Sequence, residues 1–196
     1  MILAAVLLAG GESRRMGRDK ATLLVDGLPL WQRQLGLLRQ LSPAALLVSA
    51  RQPPAWLPIE ARFIADPLPA RGPLGGLAAA LAAMPATHLL ALAVDMPAMT
   101  SAHLAVLWRA ASPGCGVLPW LGDHTEPLPA IYPAEAGPIA AGLLAGADVS
   151  LNAFTQALVA AGRMKELAIA GPDADLYANC NSPADWRRHA PAAGAA

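Results

Sequence analysis

The chain has 196 residues, of which 55% are hydrophobic and 14% charged, and its formal net charge is zero. That is long enough for one substantial core, short for two, and too apolar for a disordered chain. The balanced charge excludes the broad basic surface that unspecific nucleic-acid or anionic-membrane binding needs.

Residues 2–8 form a short, uninterrupted aliphatic run, as expected of a strand buried on both faces of a parallel sheet. Leucines at helical spacing over 30–41 predict a helix, and 45–50 a second buried strand. A short strand at 63–65 ends at Asp66, and an alanine-rich helix over 73–84 opens on Pro73 in its first turn. Residues 88–94 read as the next strand, ending at Asp95, after which Thr100 caps a helix to about residue 111. The second half is less regular, with strands expected at 116–119, 128–132 and 165–169 and helices at 134–144 and 152–161.

Strands alternating with helices mean βαβ units. The expected fold is α/β: a three-layer α/β/α sandwich on a Rossmann-like, mostly parallel sheet, with ligands at the carboxyl ends of its strands. Residues 1–189 are expected to form one domain and 190–196, rich in alanine, an unstructured tail. Cys115 and Cys180 are too few for a disulfide framework or a zinc site, which favours a cytoplasmic location. No basic residue precedes the first apolar run, against a secretory signal, and Pro, Gly or a charge interrupts every candidate membrane span.

Between Leu8 and Lys20 the chain reads Leu-Ala-Gly-Gly-Glu-Ser-Arg-Arg-Met-Gly-Arg-Asp-Lys. Gly10 and Gly11 permit a sharp turn and close approach to a ligand, because neither carries a Cβ. Arg14, Arg15, Arg18 and Lys20 outweigh Glu12 and Asp19, so polyphosphate is the natural counter-ion for this loop. Neither a phosphate-loop Gly-Lys-Ser/Thr nor a Gly-x-Gly-x-x-Gly occurs, so the loop is of another kind.

Ser49, Asp66 and Asp95 stand at the ends of predicted strands, where side chains converge on the ligand crevice of an open sheet. Asp95, in Val94-Asp95-Met96-Pro97, lies at the tip of a nearly wholly apolar strand, where a carboxylate needs a partner to offset its desolvation. Magnesium bridging it to triphosphate oxygens would be one such partner, and capping of the next helix is the structural alternative. Asn179 and Asn181, two apart in an extended segment, would project the same way and can pair with a polar heterocycle. Ser182 and Asp185 fit an ordinary helix start, and Asp123 and His124 lie in a turn able to face a second substrate.

The loop resembles the LAGGxSxRMGxDK signature of the molybdenum cofactor guanylyltransferases, in the wider nucleotidyltransferase superfamily, with Gly10, Gly11, Ser13, Arg15, Met16, Gly17, Asp19 and Lys20 on the pattern. Three further stretches are similar to that family: Gly72-Pro73-Leu74-Gly75-Gly76, with Asp66 upstream, Pro127 to Tyr132, and Tyr177 to Asp185. Val94 stands where Cys is common and Ser49 where Asn is frequent, so a contact from Ser49 to nucleotide would run through a shorter hydroxyl.

The resemblance implies transfer of GMP from GTP to the terminal phosphate of molybdenum-molybdopterin, with release of pyrophosphate. It implies Arg15, Lys20 and Asp95 as catalytic residues, with Asp95 holding Mg2+. Leu8, Ala9, Gly10, Gly11, Ser13, Lys20, Ser49, Asp66 and Asp95 would bind nucleotide, and Asn179 and Asn181 the pterin. Partners would be GTP and molybdopterin, extending to molybdenum-insertion and molybdoenzyme maturation proteins, with no nucleic acid and no membrane. Cytidine or sugar-phosphate nucleotidyltransferases of the same fold remain an alternative, as does a non-catalytic nucleotide-binding partner in molybdoenzyme maturation.

Overall fold

In the computed structural model, residues 1–10, 19–66, 72–181 and 185 are described. The chain enters through strand β1 (Leu3–Leu8), whose six residues are all buried. Leu3, Ala5 and Leu7 face one apolar layer while Ala4, Val6 and Leu8 face the other, the alternation of side chains that a pleated strand imposes. An unbroken aliphatic run therefore marks a strand covered on both sides.

A 3-10 turn (Lys20–Thr22) leads to a two-stranded hairpin, β2 (Leu24–Val25) with β3 (Leu28–Pro29), and then to helix α1 (Leu30–Arg39). The hairpin adds to the elements expected from sequence. Its connection is Asp26-Gly27, both at positive φ (52° and 79°), which is the dipeptide and geometry of a type I′ turn.

Next come β4 (Ala45–Ala50), β5 (Arg62–Ala65), α2 (Pro73–Ala83), β6 (His88–Ala93) and α3 (Ser101–Ala110). The second half adds β7 (Gly116–Leu121), β8 (His124–Thr125), β9 (Ala130–Pro133), α4 (Ala136–Leu144), α5 (Leu151–Ala160) and β10 (Met164–Ile169), followed by a second 3-10 segment (Gly171–Tyr177). Most boundaries agree with the expected ones within two residues. β7 runs on through Pro119 and Trp120 to Leu121, because β10 continues to pair alongside it and β8 folds back on its end.

The main sheet has the order β10-β7-β9-β6-β1-β4-β5, with β8 attached to β7. β5, β4, β1 and β6 are mutually parallel, and β9 alone reverses between β6 and β7. Helices α1 and α3 pack their leucines on one face, and α2, α4 and α5 cover the other. The result is the three-layer α/β/α arrangement of one mostly parallel sheet. Its carboxyl edge presents the ends of β5, β4, β1 and β6 side by side.

Candidate active site

Register brings the strand tips together. Leu8 lies opposite Ser49 on one side and Ala93 on the other, the Ala9 N–H donates to the Ser49 carbonyl (2.8 Å), and the Val94 N–H donates to the Leu8 carbonyl (3.1 Å). The Asp66 N–H donates in turn to the Ala50 carbonyl (3.2 Å). Gly10, Ala50, Asp66 and Asp95 thereby occupy adjacent positions along one edge, where ligands gather in open parallel sheets.

The decisive contact spans the whole chain. Lys20 Nζ donates to Asp95 Oδ2 at 2.9 Å and to Asn181 Oδ1 at 2.7 Å. Both members of the ion pair are partly sheltered, with side chains 17% and 20% exposed, so water screens them less than a surface pair. Three segments far apart in sequence meet at one ammonium group.

The backbone also ties these segments. The Cys180 N–H donates to the Asp95 carbonyl (2.8 Å), and Cys180 is buried while Asn179 and Asn181 on either side are exposed. This is the alternation expected of two asparagines projecting from an extended strap. Asp185 Oδ2 accepts the Asn181 N–H (3.2 Å). Thr100, not Asp95, caps α3, its hydroxyl accepting the His103 N–H at 3.2 Å, so the carboxylate is not consumed by a structural role there.

Beside the ion pair lies a cleft of about 380 Å³ lined by Ala9, Gly10, Asp19, Ala50, the loop from Arg51 to Pro54, and Trp56. Asp19 holds the Lys20 turn with one oxygen, accepting the Ala21 N–H (2.9 Å), while the other accepts Trp56 Nε1–H (3.4 Å). Trp56 stacks on Trp31 of α1 at 5.2 Å between ring centroids. Arg51, the two prolines and Trp56 were not among the expected site residues. Their place after the end of β4 was the available signal, since the reading that singled out Ser49 applies equally to the loop that follows it.

Ser49 is 3% exposed, and its hydroxyl faces Gly76 of α2, where a Cβ would come within 2.4 Å of it. Helix α2 thus approaches β4 at a position only glycine fits without displacement. Gly11, Ser13, Arg15 and the rest of 11–18 lie outside the described residues, as do Ser182 and the tail at 190–196.

On the β7–β8 turn, His124 bridges Asp123 (2.9 Å) and Glu126 (3.2 Å). The hydrogen bond that His124 donates to the Asp123 carboxylate raises the His124 pKa above its ordinary value, and burial raises that of Glu126 against the opposing pull of His124. Across from this hairpin, His103 is buried and hydrogen-bonded to the Tyr177 hydroxyl (2.8 Å). Burial holds the His103 pKa below its usual value.

A Lys–Asp–Asn junction beside an open cleft, at the tips of four parallel strands, is suited to holding a polyphosphate and its base. Residues 5–178 match the family model of the MobA-like NTP transferase domain. The chain belongs to that family. The transferase is 39% identical to a probable molybdenum cofactor guanylyltransferase of Opitutus terrae, over 95% of this chain and 94% of that one. It is 35% identical to the molybdenum cofactor guanylyltransferase of Xanthomonas euvesicatoria, over 93% and 92%. Its fold is that of the molybdopterin-guanine dinucleotide biosynthesis protein A of Archaeoglobus fulgidus (TM-score 0.72, 22% identity, 95% and 96% covered). Among the described residues, no helix of the transferase is long and apolar enough to cross a membrane.

Proposed function

We propose that this transferase moves GMP from GTP to the terminal phosphate of molybdenum-molybdopterin, forming the guanine dinucleotide form of the cofactor and releasing pyrophosphate. The observation that carries the reading is the junction of Lys20 with Asp95 and Asn181 beside the cleft at Gly10. In the reaction a pterin phosphate oxygen forms a bond to the α-phosphorus of GTP, and the bond from that phosphorus to the bridging oxygen of the β-phosphate breaks. The attacking oxygen is already ionised at neutral pH, so no protein nucleophile is needed, and catalysis reduces to positioning and charge neutralisation.

Within this scheme Lys20 offsets charge that accumulates on the departing pyrophosphate, aided by Arg15, and amides around Gly10, Gly11 and Ser13 cradle the phosphates. Ala9 and Leu8 carry the turn, Asp66 borders the ribose or base, Ser49 backs the site from its buried place against α2, and Asn179 and Asn181 face the pterin. The donor set at the junction is a carboxylate and a carboxamide oxygen. That fits a hard cation such as Mg2+, bound through one carboxylate with phosphate oxygens and water completing its shell. Asp95 would hold it, and when bound it supplies positive charge to the triphosphate.

Preference for guanine rests on Gly10. Among the described residues a Cβ there would make only ordinary contact with the Ala50 Cα (3.6 Å), and Gly10 lines the cleft rather than the core. Two cysteines, Cys115 and Cys180, are too few for a disulfide framework, which supports a reducing, cytoplasmic setting where molybdenum-insertion and molybdoenzyme maturation proteins would be its partners. The test is pyrophosphate release by purified protein with Mg2+ and molybdopterin, comparing GTP with CTP. Release with GTP and little with CTP is expected. Equal or greater release with CTP would transfer the assignment to a cytidylyltransferase, and release with neither would overturn it.

A further inference from the structure

Asp95 sits where β6 has ended, so no strand ladder aims its side chain. Three consecutive carbonyls of its turn are instead each held by a donor from elsewhere. The Cys180 N–H donates to the Asp95 carbonyl (2.8 Å), Gln34 Nε2 to that of Met96 (2.6 Å), and Arg33 Nε to that of Pro97 (2.9 Å). Two of these donors are neighbours on α1.

Gln34 is an odd residue for its position. It is fully buried on the face of α1 that carries Leu30, Leu35 and Leu38, and among the described residues its Oε1 has no hydrogen-bond partner. A buried carboxamide oxygen left unpaired is destabilising, and such core positions ordinarily carry an apolar side chain. Turning the amide over would set oxygen against the Met96 oxygen, so the observed orientation is the one that satisfies the turn. Core packing alone does not account for glutamine here; the carbonyl it holds does.

We propose that Gln34, together with Arg33, is a positioning residue that fixes the Met96–Pro97 backbone so that the Asp95 carboxylate meets Lys20. This rests on the reading that Asp95 acts on the triphosphate. In-line displacement is sensitive to ångström-scale misplacement, so a turn released from α1 lowers turnover more than it weakens nucleotide binding.

The test uses purified full-length Gln34→Met, Arg33→Ala and Asp95→Asn, and the double variant Gln34→Met/Asp95→Asn, with kcat, the KM and calorimetric affinity for GTP, and thermal melting measured for each. Methionine is close in volume and removes both the donor and the unpaired oxygen. Expected for Gln34→Met is a kcat about tenfold lower or more, GTP affinity within about twofold of wild type, and a melting temperature equal or higher. Arg33→Ala, at a half-buried site, should lower kcat in the same sense, and it carries the test if Gln34→Met does not fold. In the double variant the Gln34 change should add less than about twofold, because its effect runs through the missing carboxylate. Wild-type kcat in folded Gln34→Met and Arg33→Ala, or fully multiplicative losses in the double variant, would overturn the positioning role while leaving Asp95 in place. Full turnover in Asp95→Asn would remove both readings together.

Discussion

At the scale of single residues, the site is built around one amine. Lys20 touches a carboxylate and a carboxamide, and a phosphate arriving there would compete for the same ammonium protons. Lys20→Ala should therefore raise the KM for GTP and lower kcat together, and a wild-type value of both in steady-state kinetics would contradict a phosphate contact. Asp95→Ala should lower kcat about a hundredfold or more, by analogy with loss of one preorganised electrostatic partner, and single-turnover rates at saturating Mg2+ would measure it. Gly10→Ala isolates specificity from stability. Among the described residues the new methyl meets no backbone closer than 3.6 Å, so melting should be unchanged while the ratio of GTP to CTP turnover falls. An unchanged ratio would break the link between this glycine and purine preference.

At the scale of elements, the close contact between α2 and β4 depends on what is missing. A Cβ on Gly76 would sit 2.4 Å from the Ser49 hydroxyl and 3.4 Å from the Ser49 Cβ. Gly76→Ala should cost about 1–2 kcal/mol through overpacking, in spite of the better helix propensity of alanine. Adding Ser49→Ala removes the clashing oxygen and should recover most of that loss; urea midpoints of the single and double variants decide it. The same scale explains what was hard to foresee. The β2–β3 hairpin has only two residues in each strand, below the length at which alternation shows, and its one strong signal was Asp26-Gly27. Trp31 and Trp56 meet only because α1 and the loop after β4 lie against each other, where the two rings stack and Trp56 lines the cleft.

At the scale of the whole molecule, the segment bearing Asn179 and Asn181 is anchored across the sheet edge through Tyr177 and buried His103. Desolvation holds the folded His103 pKa below 6.5, partly offset by Asp173, whereas the unfolded chain takes up a proton near that value. The unfolded state therefore binds more protons, and stability should fall as pH drops below about 6.5 toward the lowered folded value. His103→Gln should flatten that slope, measured as urea midpoints between pH 7 and about 5. A slope as steep as wild type would assign the dependence to other groups. The buried strands, the carboxylates at their tips and the alternation of the paired asparagines were legible in the chain, because local conformation, period-two burial and residue chemistry are encoded over a few neighbours. Which lysine meets which carboxylate was not. That Lys20 is shared by Asp95 and Asn181, that Gln34 reaches Met96, and that the loop after β4 walls the cleft follow from strand order and crossover packing, which join residues dozens of positions apart. Sequence spacing carries no record of those distances, and only the assembled sheet with its two helical layers sets them.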